Sequence, residues 1–117
     1  MSHLKPDDLE RFRDLLTARS QALRVELLAH DGAQAREPVE NVRDEAEDRR
    51  GDEVRAAERL RDETELRESE AALARLEIGR FGSCIECDVR IPSARLEAQP
   101  SAARCIACQE RLESSLA

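Results

Sequence analysis

Residues 84–87 read Cys84-Ile-Glu-Cys87, and residues 105–108 read Cys105-Ile-Ala-Cys108, with seventeen residues between the two pairs. Two residues between cysteines let one tight turn aim both sulfurs at one ion, and a second such turn completes a tetrahedron of four thiolates. The spacing predicts one structural Zn²⁺ held by Cys84, Cys87, Cys105 and Cys108, with no open position for catalysis. A redox pair needs a single Cys-x-x-Cys in a βαβ setting, which is missing here. Two disulfides need an oxidising compartment. The four cysteines all lie in the last third of the chain. Metal binding there supplies the folding energy that a segment of about 35 residues with one aromatic ring lacks. His3 and His30 stand far from the cysteines in sequence and read as incidental.

Outward from the cysteines, the composition limits what the rest can be. The 117 residues include two Phe and no Trp or Tyr, and 38% are charged. So few rings argue against a thick globular core, and the Glu, Arg, Ala and Leu content favours long solvated helices. The net charge is −7, from 26 Asp and Glu against 19 Lys and Arg. That argues against a broad basic nucleic-acid surface. No apolar run approaches the roughly 20 residues that span a bilayer, and residues 1–16 lack a signal-peptide core. These features predict a cytoplasmic protein that does not engage a membrane.

Two helices precede the cysteines. Pro6, Asp7 and Asp8 suit a first helical turn. Leu9, Phe12, Leu16, Leu23 and Leu27 recur at helical spacing, with Leu15 and Leu28 widening the stripe and Gly32 as a stop. Residues 33–41, with Pro38, form a natural reversal. A second helical pattern starts near Asn41 or Asp44, either of which suits a cap, and runs to about Glu77. Gly79 and Gly82 end it, and Gly51 weakens its middle by about 1 kcal/mol relative to Ala. Its apolar positions are sparse: Val42, Ala46, Val54, Ala57, Leu60, Leu66, Leu73, Leu76 and Ile78. A helix of about 36 residues is about 54 Å long. Neither helix has an apolar face broad enough to stand alone, so the two pack as an antiparallel coiled-coil hairpin. The fold class is mainly α. Residues 1–80 form the hairpin, with a tip at about 33–46. Residues 81–117 form the four-cysteine zinc finger with a short C-terminal helix.

The residues between the cysteine pairs are more specific than the spacing. The stretch from Phe81-Gly82-Ser83-Cys84, through Ile91-Pro92-Ser93-Ala94-Arg95-Leu96-Glu97-Ala98-Gln99-Pro100, to Cys105-Ile106-Ala107-Cys108-Gln109 resembles the DksA/TraR zinc-finger family. The hairpin before it matches the same architecture, so the resemblance spans residues 6–110. It implies a regulator that binds bacterial RNA polymerase, without sequence-specific DNA binding and without chemistry of its own. In such proteins the coiled coil enters the secondary channel, places acidic residues near the catalytic centre and changes the lifetime of promoter complexes.

The family's tip motif, Asp-x-x-Asp-x-Ala, falls on Asn41, Asp44 and Ala46. The first acid is replaced by Asn41, which keeps an acceptor oxygen but loses the charge. Asp44 is a polymerase contact or a helix N-cap, and Ala46 gives close approach or seam packing. Arg95 packs within the finger, pairs with an acid on the hairpin, or adds a polymerase contact. The basic positions that family members use for the alarmone ppGpp fall on Glu68, Gln99 and Gln109, so ppGpp dependence is expected to be weak or absent. A self-contained hairpin favours a monomer. Two other readings stand beside the regulator: a zinc-stabilised adaptor that uses the helix sides, and a thiol or zinc redox sensor.

Overall fold

The computed structural model describes residues 3–35 and 45–116. Helix α1 spans Pro6–Ala35, and α2 spans Glu45–Glu77. Length spreads the cost of nucleating each helix, but most of their stability comes from the face they bury against each other. Asp7 and Asp8 occupy the first turn of α1, opposite the positive end of its dipole. Contrary to the expected stop, α1 runs through Gly32 to Ala35. A glycine lowers helix stability by about 1 kcal/mol but halts the chain only where it turns left-handed.

Gly79 does turn left-handed, at φ +74°. The Arg80 N–H donates to the Arg75 carbonyl at 2.9 Å, and the Gly79 N–H to the Leu76 carbonyl at 3.3 Å. This pair of bonds is the Schellman arrangement, which satisfies carbonyls that the end of α2 leaves over. Beyond it come two short helices, α3 at Ser93–Ala98 and α4 at Ile106–Leu116. The described residues contain no strand, only an isolated bridge between Ser83 and Arg90.

The buried seam is narrower than the leucine pattern suggests. Phe12, Leu16 and Leu23 are buried on α1, but Leu15 is 47% exposed and Leu28 69%. On α2, Ala72 and Leu76 are buried while Val54 and Leu60 are exposed, as is Ile78 just beyond its end. Two serines, Ser20 and Ser69, sit in the seam with Ala72. Small side chains there let the backbones approach and give the leucines and Phe12 room.

Ion pairs flank the seam. Arg13 faces Glu77 at 3.7 Å, Arg19 pairs with Glu65, Arg24 with Glu70, and His30 meets Asp62 at 3.3 Å. Arg59 holds both Asp31 across the hairpin and Glu63 on its own helix. Climbing α1 from Arg13 to Asp31 therefore descends α2 from Glu77 to Arg59. With Asp31 opposite Arg59, the turns of α2 before about Arg55 have no counterpart on α1. There, residues 49, 50 and 52–54 are exposed and Gly51 is half-buried.

One cluster joins hairpin and finger. It contains Leu4, Phe12, Leu16, Ala72 and Leu76 together with Phe81, Cys84, Ile91, Leu96, Ala102 and Cys108. Both aromatic rings of the chain meet in it, Phe12 and Phe81, with centroids 5.3 Å apart and planes tilted by 45°. Arg11 closes the joint from outside by gripping both carboxylate oxygens of Glu97 on α3. That grip holds the Glu97 carboxyl below the ordinary carboxylate range.

Candidate metal centre

The first cysteine pair lies in a tight hairpin turn. Gly82, at φ +88°, brings the chain out of the hairpin. The Cys84 N–H donates to the Val89 carbonyl at 2.8 Å, the Asp88 N–H to the Cys84 carbonyl at 3.0 Å, and the Ile91 N–H to the Gly82 carbonyl at 2.8 Å. Asp88 takes a positive φ of 63°, which Asp tolerates better than most residues. The second pair starts α4. The Cys105 carbonyl accepts the Gln109 N–H at 2.9 Å, so Cys105 occupies the cap position. Its Sγ accepts the Cys108 N–H at 3.5 Å, the role an oxygen fills in an ordinary N-cap. The two knuckles are tied by the Ile85 N–H donating to the Ala103 carbonyl at 2.9 Å.

These turns bring together the four sulfurs singled out in the sequence. All lie within 4.8 Å of one another, and Cys87 Sγ is 3.8 Å from Cys105 Sγ. A tetrahedron with Zn–S bonds of about 2.3 Å has sulfur–sulfur edges of about 3.8 Å, so the donor set fits a zinc ion in kind, number and spacing. Cys84 and Cys108 are buried, Cys105 is half-buried and Cys87 is exposed. Thiols packed this closely do not all ionise unaided. Burial pushes Cys84 up, but backbone N–H groups of Cys105, Cys87 and Glu86 outweigh it and bring the thiol down to about 6. Burial pushes Cys108 up to about 12, with the neighbouring sulfurs adding to the rise and Arg111 opposing it. A divalent cation resolves that conflict by stabilising every thiolate at once.

The residues between the pairs build the support of this centre. Ile91 and Leu96 are fully buried, and Pro92 leads into α3. Arg95 donates from Nε to the Arg104 carbonyl at 3.1 Å, so it packs within the finger as the first of its readings had it. Two features escaped the sequence reading. His3 is not incidental: its Nε2 lies 2.8 Å from the Ile91 carbonyl, tying the N-terminal segment to the finger. His30 is not incidental either, since it meets Asp62 across the hairpin. No local pattern marks either contact, because their partners lie 88 and 32 residues away.

At the other end, Asn41 and Asp44 lie outside the described residues, and Ala46 falls in the first turn of α2. Glu68 and Gln99 come together in a groove of about 860 Å³ where the hairpin meets the finger, with Arg19, Arg61 and Glu65 also on its walls. Gln109 is bonded to Glu113 at 3.1 Å instead. None of the helices among the described residues is long and apolar enough to cross a membrane.

Residues 79–114 match the family described as the prokaryotic dksA/traR C4-type zinc finger. Over 31 residues the chain is 55% identical to an uncharacterized 8.2 kDa protein in the gpA 5′ region of Escherichia phage P2; the match takes in 26% of this chain and 42% of that relative, less than half its length. Three solved structures are similar over nearly the whole chain. Transcription factor DksA2 from Pseudomonas aeruginosa has 27% identity and a TM-score of 0.78, covering 97% of this chain and 88% of that one. The DnaK suppressor protein from Agrobacterium tumefaciens C58 has 30% identity and a TM-score of 0.65, covering 95% and 99%. The RNA polymerase binding protein and transcriptional regulator Dks from Chlamydia trachomatis L2 has 20% identity and a TM-score of 0.64, covering 97% and 95%, a likeness of fold. The finger carries one structural zinc. A C4 finger matched around these four sulfurs, and a 30% identical relative covered almost end to end, place the chain in the DksA/TraR family.

Proposed function

We propose that the protein is a transcription regulator that binds bacterial RNA polymerase and sends the far end of its hairpin into the secondary channel. The observation that carries this reading is the whole-length likeness to a transcription factor, at 27% identity and a TM-score of 0.78. The Chlamydia relative of the same fold is an RNA polymerase binding protein. In this reading residues 1–80 are the inserting hairpin and residues 81–117 the docking base. Cys84, Cys87, Cys105 and Cys108 supply the four thiolates to zinc. Asn41, Asp44 and Ala46 face the catalytic region, and Arg95, bonded within the finger through Nε, turns its Nη groups to an additional contact. The protein catalyses nothing itself, binds no specific DNA sequence, and works as a cytoplasmic monomer.

Electrostatics agrees with such a partner. A net charge of −7 opposes association with DNA and favours a basic cavity. The same charge argues against ppGpp. A polyphosphate wants forked cations. In the groove that holds Glu68 and Gln99, Arg19 is already engaged by Glu65, which leaves Arg61 as the other cation of the lining, together with two carboxylates. We therefore infer weak or absent ppGpp dependence.

The test is binding of the labelled, zinc-loaded chain to purified bacterial RNA polymerase, with a known secondary-channel factor as competitor. Saturable binding that the competitor abolishes is the expected result. Binding that survives excess competitor sinks the channel mode. No binding at micromolar concentration sinks the polymerase reading and leaves the zinc-stabilised adaptor, whose exposed Leu15, Val25 and Leu28 on α1 offer helix sides to another protein.

A further inference from the structure

Four thiolates around one Zn²⁺ carry a net charge of about −2, and here they do so in a protein that is already acidic. Two of the four sulfurs belong to buried residues, Cys84 and Cys108, where solvent compensates least. Backbone N–H groups of Cys105, Cys87 and Glu86 already face the Cys84 sulfur, so it is at Cys108 that another group must offset the charge. The Cys108 backbone N–H is directed at Cys105, not at its own sulfur. Arg104 donates to Glu86 at 3.3 Å, and Arg95 donates to a backbone carbonyl. Arg111 is placed differently. It stands one turn along α4 from Cys108, on the same helix face, and its Nη2 donates to Cys108 Sγ at 2.9 Å.

We propose that Arg111 is a positioning residue of the zinc centre: its guanidinium orients Cys108 Sγ and offsets part of the charge of the thiolate cluster, and so sets the affinity of the finger for metal. The proposal rests on the four-cysteine ligand set given above. A planar guanidinium suits the task, because it stays charged and gives a directed N–H to a buried sulfur. Outer partners of metal ligands change metal affinity by about 10–100-fold when removed.

The test uses the full chain as parent, Arg111→Gln, Arg111→Lys and a control on the same helix, Ser114→Ala. Zinc affinity is read by competition with a chromophoric chelator at fixed pH. The sulfur-to-metal charge-transfer band is read after substitution with Co²⁺. Arg111→Gln is expected to hold zinc about 10-fold more weakly than parent, with Arg111→Lys recovering most of the loss and Ser114→Ala matching parent. The Co²⁺ band of Arg111→Gln is expected to move to lower energy, because one thiolate loses a donor. Parent-like affinity in Arg111→Gln overturns the proposal. So does weaker binding with an unmoved band and no recovery in Arg111→Lys, which is the pattern of a helix that has merely loosened. A parent that takes up no zinc overturns the ligand set itself, and is distinct from an Arg111 variant that behaves as the parent does.

Discussion

Gly79 and Gly82 both adopt positive φ, at +74° and +88°, yet they meet different surroundings. A Cβ at Gly79 would meet nothing within 4 Å, whereas one at Gly82 would meet Leu4 Cδ1 at 3.1 Å and His3 Cε1 at 3.2 Å. Gly79→Ala therefore carries only the left-handed backbone cost, about 1–2 kcal/mol. Gly82→Ala carries the same cost and also displaces the N-terminal segment, so its loss is larger and the His3 contact with Ile91 goes with it. Urea unfolding of both variants, with the His3 ring followed by NMR, checks this. Equal destabilisation with an unmoved His3 ring would show that the segment does not press on Gly82. Gly79 was legible in the sequence as a helix-ending residue, and the cysteines were legible as a cluster, because both signals are local; Gly82 was read the same way but lies beyond the helix, in the turn that leads to Cys84. His3 was not legible. A polar ring meeting a carbonyl 88 residues away leaves no periodicity to read.

At the scale of the elements, two features hold the hairpin: a thin apolar seam and the ion pairs beside it. Their magnitudes differ. Arg24 and Glu70 are 62% and 43% exposed, and a pair so hydrated contributes about 0–1 kcal/mol. Leu23, the next residue, is fully buried, and truncating such a leucine to alanine costs about 2–5 kcal/mol. Leu23→Ala is thus expected to lower stability by several-fold more than Arg24→Ala, and only the effect of Arg24→Ala should fade at 1 M salt. Chemical denaturation of both variants in urea, at low and high salt, decides it. A larger loss from Arg24→Ala would mean that the charges, not the seam, hold the helices. This thinness also explains which parts of the helices the sequence hid. Leu15 and Leu28 fit the leucine spacing but face solvent, while Ser20, Ser69 and Ala72 fill the seam. A pattern built on large apolar residues overlooks small ones, although close-packed helices need them. Ser20 is a cost of that arrangement, since its buried Oγ has no hydrogen-bond partner among the described residues.

Over the whole molecule, the zinc centre and the first turn of α2 lie at opposite ends of a rod. The 33 residues of α2 alone separate them by about 50 Å. The buried cluster that fuses hairpin to finger sits entirely at the zinc end. A change at the far end should therefore leave the finger, the metal and any docking through the base intact. Under the proposed function this separates binding from effect. Asp44 immediately precedes Glu45, the first residue of α2, so Asp44→Ala alone would confound a lost contact with a lost helix cap. Asp44→Ser resolves the two, because serine caps about as well as aspartate but carries no charge. If the carboxylate acts on the polymerase, both variants should bind it with affinity close to parent, and both should lose most of the effect on promoter-complex lifetime. If Asp44 is only a cap, Asp44→Ser should behave as parent while Asp44→Ala weakens the first turn of α2, seen as a loss of about 1 kcal/mol in stability. Parent-like activity in both variants would remove the acidic residue from the mechanism. Under the proposed function, Asn41 falls where the family's tip motif has its first acid, so Asp44 is the one acid left in that motif and its removal should leave little residual effect. Asn41→Asp is the converse change. It restores the pair of acids and should strengthen the effect on promoter complexes without altering zinc content.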